Sequence, residues 1–341
     1  MSKNTLSRLP RPRLSRRMFL RATAIGGVGL VLPGTARAAR RGEPLATLLD
    51  LGKCVGCEAC VQACREANGH KFPEPQKPFP RMHPARVQAE DWSERREVSD
   101  RLTPYNWLFI QRASVEHDGR DWELNIPRRC MHCINAPCAN LCPFGACATQ
   151  DNGIVRIDSG LCLGGAKCRQ VCPWHIPQRQ TGVGLYLKLM PGYAGNGVMY
   201  KCDRCFERVA EGGLPACIEA CPEGVQTIGP RDEIVRQAHA LAESMGGHIY
   251  GETENGGTNT LYVSPVPFGK LDAAIQAQAV AENRGSVMTN GYPHLKPVKN
   301  SMAKEENLAW AALAAPVAGL VAGVAGLGRL LKSGTREDGN D

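Results

Sequence analysis

From Arg231 to Met245 the apolar residues Ile234, Val235, Ala238, Leu241 and Ala242 recur at helical intervals, and the pattern closes at Gly246-Gly247. The spacing predicts an amphipathic helix. Shorter stretches read as strands: Tyr105 to Arg112, Trp122 to Ile126, Gly153 to Asp158, Gln226 to Ile228 and Thr258 to Val263. In each, β-branched or aromatic residues gather between turn formers. The Pro-rich run FPEPQKPFP at 72–80 and the charged stretch from Asp91 to Arg101 have no period. The long insertion from Arg65 to Arg129 is therefore expected to be surface loop leading into the short strands.

The two ends are patterned differently. Leu308 to Gly328 carries no charged residue over 21 positions, about 31 Å of helix and enough to cross a bilayer. Trp310 sits where an interfacial aromatic belongs. Lys304, Glu305 and Glu306 precede the span, and Arg329, Lys332 and Arg336 follow it, which places the C-terminus in the cytoplasm. Gly319 and Gly323, with Ala315, form a small-residue row that suits close helix packing, although an Ala/Gly-rich segment produces such a row by composition alone. At the other end, Ser15-Arg16-Arg17-Met18-Phe19-Leu20 reads as a twin-arginine signal. A mildly apolar run from Ala22 to Leu32 and the small-residue site Ala36-Arg37-Ala38 follow it. Residues 1–38 are expected to be a signal peptide, which puts the body on the periplasmic side of the bacterial inner membrane.

Charge adds little beyond this. The chain of 341 residues has 41 Lys and Arg against 33 Asp and Glu, a formal net charge of +8. Eight of the basic residues lie in 1–38, where there is no acid, so the remainder balances at 33 against 33. No basic stripe with interleaved aromatics is visible, and nucleic-acid binding is not expected.

The sixteen cysteines change the picture. The first group is Cys54, Cys57, Cys60 and Cys64, at the spacing of bacterial ferredoxins, with Arg65 in place of the usual Pro. The second is Cys130, Cys133, Cys138 and Cys142, followed by Pro143. The third reads Cys162, Cys168 and Cys172 with Pro173, and Gly165 stands where its second Cys is expected. The fourth is Cys202, Cys205, Cys217 and Cys221, followed by Pro222. Three thiolates on a tight loop can wrap three corners of an iron-sulfur cube while the fourth, beside a helix, reaches a second cube. A Pro there suits the first helical position. Small residues such as Gly56, Ala59, Ala136 and Gly164 let the loop curl so that backbone N–H groups face sulfur.

Zinc and disulfides are the competing uses of such residues. Zinc does not need a shared fourth ligand, and CxxC pairs make poor structural staples. Cys147 fits no spacing: it is either a buried small residue or a substitute for the ligand missing at Gly165. His132 and His175 sit beside motif cysteines and read as spare loop residues. Lys188 and the glycines from Gly192 to Gly197 do not make a phosphate loop. No nucleophile, base and orienter occur together, so the chain reads as a conductor of electrons and not as an enzyme.

The segments LGKCVGCEACVQAC, CMHCINAPCANLCP and GGLPACIEACP, with the order of the groups, the leader and the tail, resemble the four-cluster iron-sulfur subunit family of dimethyl sulfoxide reductase, formate dehydrogenase and hydrogenase 2. The resemblance implies an α+β fold: a duplicated bacterial ferredoxin-like domain over 39–280 with long loop insertions. A linker at 281–306, a C-terminal transmembrane helix at 307–328 and a cytoplasmic tail at 329–341 complete the expected chain.

The resemblance also implies how the motifs pair. One cluster takes Cys54, Cys57, Cys60 and Cys221; the next takes Cys202, Cys205, Cys217 and Cys64; a third takes Cys130, Cys133, Cys138 and Cys172. The fourth keeps Cys162, Cys168 and Cys142 and lacks a ligand at Gly165. The cofactors are then three 4Fe-4S clusters and one that is 3Fe-4S or an atypical 4Fe-4S. The implied partners are the small and large subunits of a nickel-iron hydrogenase, an integral membrane quinone-reactive subunit and the twin-arginine translocation machinery. The leader favours the hydrogenase. A molybdenum oxidoreductase such as formate dehydrogenase is the alternative catalytic partner, and an exported structural metal-binding protein is the rival from another class.

Overall fold

The computed structural model of the protein describes residues 42–281, 291–300 and 302–303. The chain divides into two units, Met1–Ala36 and Arg37–Asp341, and the described residues all belong to the second. In chain order the elements begin with β1 (Leu45–Asp50), α1 (Ala59–Asn68), β2 (Phe109–His117) and β3 (Arg120–Arg128). They continue through α2 (Pro137–Asn140), β4 (Cys147–Thr149), β5 (Val155–Ile157), α3 (Lys167–Val171), β6 (Gln178–Gln180), α4 (Leu185–Leu189) and β7 (Val198–Tyr200). The remainder are α5 (Phe206–Ala210), α6 (Ala216–Glu219), β8 (Gln226–Pro230), α7 (Arg231–Met245), β9 (His248–Tyr250), β10 (Thr260–Ser264) and α8 (Phe268–Ala281).

The main sheet has the order β8-β1-β10-β9, with β1 parallel to β10 and antiparallel to β8. The strand alternation assigns each face a task. Ala46, Leu48, Leu261 and Val263 point to one side and pack on Ile234, Ala238 and Ala242 of α7. Leu49 and Tyr262 point to the other side and join a core that contains most of the cysteines. The sheet is thus a wall between one helix and the cysteine-rich interior. Three two-stranded sheets, β2-β3, β4-β5 and β6-β7, complete the mixed α+β architecture.

The helix expected at Arg231–Met245 forms over those residues and ends on Gly246 in the left-handed region. Strand β1 is absent from the sequence reading because it is buried along its whole length. A central strand covered on both faces shows a short apolar run in place of alternation. The strand expected from Tyr105 starts instead at Phe109, since Thr103 to Asn106 close a turn and Trp107 Nε1 donates to Pro104 O at 2.9 Å.

The insertion is more than surface loop. Met82, Leu102, Tyr105, Trp107 and Leu108 are buried, and the Gln76 amide donates to Gly182 O at 2.8 Å. Glu90 anchors this strap. Its carboxylate accepts two hydrogen bonds from Arg169, both 2.7 Å, and lies 2.8 Å from Arg179. Burial alone would raise the Glu90 carboxyl, but the two guanidinium groups outweigh it and hold the group below its ordinary 4.5. A carboxyl depressed by folding contributes stability above the unfolded value, and the contribution is lost as pH falls through the folded one. Glu90→Gln is therefore expected to cost about 2 kcal/mol at neutral pH. It should also speed proteolysis within 72–104, with the difference from the parent protein shrinking under acid conditions.

The expected membrane helix and the anchored placement drawn from it are corrected. The leader at 1–38 and the span at 307–328 lie outside the described residues, and among the described residues no helix is long and apolar enough to cross a membrane. The longest, α7, has 15 residues, roughly 22 Å at 1.5 Å each, short of the bilayer core. Among the described residues the fold class is accordingly mixed α+β with no membrane-crossing helix, and the anchored inner-membrane placement derived from the expected helix is withdrawn. Within the stretch expected to be a polar linker, Tyr292, His294 and Leu295 are buried. The Leu295 amide donates to Asp272 Oδ1 at 2.8 Å.

Candidate functional site

The four cysteine loops repeat one local device. Two residues after the first Cys, the backbone is left-handed in every loop: Gly56 (φ 70°), His132 (47°), Gly164 (67°) and Arg204 (55°). This curl turns the residue's own N–H back toward the first thiol. His132 donates to Cys130 Sγ at 3.5 Å and Arg204 to Cys202 Sγ at 3.3 Å; the amides of Gly56 and Gly164 do the same for Cys54 and Cys162. A Cβ at Gly56 would lie 2.6 Å from Asn125 Oδ1, and one at Gly164 would collide with Gly195 O. Glycine is required there twice over.

His132 and Arg204 bear the same conformation at a cost of about 1 kcal/mol each, and their side chains hold it. The Arg204 guanidinium donates to Leu45 O (2.6 Å), Asn259 O (2.7 Å) and Thr260 Oγ1 (3.0 Å). His132 Nδ1 accepts from the Val155 amide at 3.1 Å. Burial holds His132 well below the ordinary imidazole range, with Arg204, Lys201 and Arg129 acting in the same direction. It is a neutral structural residue.

The last thiol of each motif is held in a similar way. Cys221 Sγ accepts from the Val225 amide and Cys142 Sγ from the Cys147 amide, both at 3.4 Å. The Ile176 amide serves Cys172, and Asn68 Nδ2 lies 3.7 Å from Cys64 Sγ. Such donors stabilise negative charge on sulfur.

Across the motifs the thiols gather into four groups. Cys54, Cys57, Cys60 and Cys221 line one hollow. Cys64, Cys202, Cys205 and Cys217 line another. Cys172 faces Cys130, Cys133 and Cys138, and Cys142 lies within Coulombic reach of Cys162 and Cys168. In three cases the last Cys of one motif joins the first three of another, and in the fourth Cys142 joins the two that the third motif supplies. Neighbouring groups also touch electrostatically: Cys60 with Cys217, Cys202 with Cys130, and Cys168 with Cys138. The groups form a single row.

As bare thiols, several of these residues resist ionisation. Burial, then the neighbouring sulfurs, pushes Cys60 and Cys168 up to about 12. Burial does the same for Cys202, where the Arg129 charge opposes it. Thiolates so placed need bound cationic charge. Among the described residues no three of His, Cys, Asp or Glu converge as a single-ion site requires, whereas a cluster offers separate irons to separate thiolates. All sixteen cysteines are free of disulfides. The donor set, its amide shell and its row arrangement fit iron-sulfur clusters.

Gly165 is exposed, and a Cβ built on it meets nothing within 4 Å. Cys147 is not at that corner. It is buried on β4, and its thiol donates to Cys138, the third thiol of the second motif. That hydrogen bond, opposed by burial, draws Cys138 down to about 7, while Cys147 is driven up and stays protonated. The glycines from Gly192 to Gly197 serve packing: the His83 amide donates to Gly192 O at 2.6 Å.

Three buried cations escaped the sequence reading: Arg129, Lys201 and Arg204. Each adjoins a motif Cys, but a basic residue beside a motif reads as solvated until the fold covers it.

Residues 53–146 and 121–231 each match a 4Fe-4S dicluster domain model. A protein of Nitratidesulfovibrio vulgaris is 34% identical over 75% of this chain, which spans 65% of that relative's length. The hydrogenase-2 operon protein HybA of Escherichia coli O157:H7 is 31% identical over 76% of this chain and 83% of its own length. The chain belongs to the iron-sulfur dicluster family. This dicluster family also takes in the B subunit of anaerobic dimethyl sulfoxide reductase from Escherichia coli K12, 29% identical over 57% of this chain and 77% of the relative. The iron-sulfur subunit of nitrate-inducible formate dehydrogenase is another relative. As a dicluster-family member, the chain is an accessory electron-transfer subunit and not itself a catalyst.

Proposed function

We propose that the fifteen motif cysteines hold four iron-sulfur clusters in a row and that the chain is the electron relay of an anaerobic respiratory oxidoreductase complex. The observation that carries this reading is the exchange of thiols between motifs, which lines up four groups with neighbouring groups in electrostatic contact. The first group would be Cys54, Cys57, Cys60 and Cys221; the second Cys64, Cys202, Cys205 and Cys217; the third Cys130, Cys133, Cys138 and Cys172. The fourth would be Cys142, Cys162 and Cys168, three-iron at Gly165 or an atypical four-iron cluster. When bound, the clusters supply one-electron redox chemistry. The chain's own part is to space them, bury them and direct amides at their sulfurs.

For the catalytic partner, an enzyme of the dimethyl sulfoxide reductase or formate dehydrogenase type is at least as well supported by the relatives as a hydrogenase. The hydrogenase reading keeps one specific support, since the HybA alignment covers 76% of this chain against 57% for the reductase B subunit. A quinone-reactive membrane subunit is the proposed partner at the other end of the relay.

Protein purified without oxygen is expected to contain about 15 iron atoms with matching acid-labile sulfide for three four-iron clusters and one three-iron cluster, or about 16 for four complete cubes. A colourless preparation, zinc in place of iron, or paired oxidised thiols would sink the proposal. Molybdenum or nickel in the co-purified catalytic subunit separates the two partner readings.

A further inference from the structure

We infer that Arg129 raises the reduction potential of the second cluster; the inference rests on the four-cluster reading above. Arg129 is 4% exposed and lines the same hollow as Cys64, Cys202, Cys205 and Cys217. Its Nη1 donates to Cys217 Sγ at 2.9 Å and to Gln226 Oε1 at 2.6 Å. Its Nη2 is buried with no protein partner. Among the described residues no carboxylate pairs with this guanidinium. Asp203, the acid that lines the same hollow, is taken up by Lys71 at 2.7 Å and by the Cys205 amide at 3.0 Å.

Every other group receives a different kind of donor. Among the described residues, the remaining hydrogen bonds to motif thiols come from backbone amides, from Asn68, or from the Cys147 thiol. All of these are neutral. Among the described residues only Cys217 accepts a hydrogen bond from a charged side chain, while the buried Lys201 lies within Coulombic reach of Cys130 and Cys138 without such a bond. A one-electron reduction makes a thiolate-bound cluster more negative by one unit, and a fixed cation in a low-dielectric site favours the more negative state. The second potential therefore rises. Arg129 also lies within Coulombic reach of Cys60, so the first cluster is raised by less, and the fourth group is outside this effect. Arg129 is a positioning and tuning residue: it touches a ligand and carries no electron.

The test is a redox titration of purified, cluster-loaded protein followed by paramagnetic resonance, with the fourth group's signal as internal control. In Arg129→Gln the second signal is expected to titrate at a clearly lower potential, the first slightly lower and the fourth unchanged. Arg129→Lys keeps the charge and should shift the second signal less. Gln226→Glu leaves the arginine and side-chain shape intact while placing a carboxylate on it, and should move the second signal in the same direction as Arg129→Gln. If Arg129→Gln loses the second cluster, Gln226→Glu decides. Unmoved potentials in the retained signals overturn the inference, as does a shift confined to the fourth group. Loss of the second cluster from all three variants also overturns it, because Arg129 would then be needed for assembly alone. Absence of any cluster in the parent protein would instead defeat the four-cluster reading.

Discussion

Cys172→Ala is expected to strip a ligand from the cluster of the second motif and to leave the cluster of its own motif intact. Cys172 faces Cys130, Cys133 and Cys138 and is fully enclosed with them, while Cys162 and Cys168 face Cys142. A cube that loses one of four thiolates inside a dry hollow either falls apart, a loss of about 4 iron atoms, or survives with three irons. Paramagnetic resonance of the reduced protein should lack one four-iron signal, and the fourth group's signal should persist. Cys142→Ala should do the reverse. The opposite assignment, Cys172→Ala erasing the signal held by Cys162 and Cys168, would mean that each motif keeps its own cluster and that the row as described is wrong.

The second large effect is expected at Gly165. Its surroundings are open, its φ lies outside the left-handed region, and it is exposed to solvent. A cysteine can stand there without moving a neighbour. Gly165→Cys should complete the fourth group, raise the iron content from about 15 to about 16 atoms and abolish the three-iron signal of the oxidised protein. Cys147→Ala should leave that signal in place, because Cys147 serves Cys138 from the buried side. A parent protein with no three-iron signal would show instead that the fourth group holds four irons without a thiolate at this corner.

Several features were legible in the residues because they are local. The helix at Arg231–Met245 follows from spacing, capping glycine and length together. The ligand loops follow from short intervals between cysteines, and Gly56 and Gly164 mark two of the four left-handed turns. The other two were invisible, since His132 and Arg204 adopt that backbone only because distant partners hold their side chains. Strand β1 failed for a related reason. Its neighbours β8 and β10, and the helix α7 that covers one of its faces, all come from far along the chain, after residue 225.

Composition and spacing by themselves singled out the candidate ligands: fifteen cysteines in four loops, and one glycine where a cysteine is expected, picked out by the reach of a few residues of backbone. Only the tertiary structure decided which loops face each other, that the insertion straps over the third motif through Glu90, and that Arg129 is sealed against Cys217. The physical reason is range. A loop's curl depends on its own dihedral angles, whereas burial of a charge depends on chain brought from elsewhere, and burial is what turns an ordinary arginine into a determinant of potential.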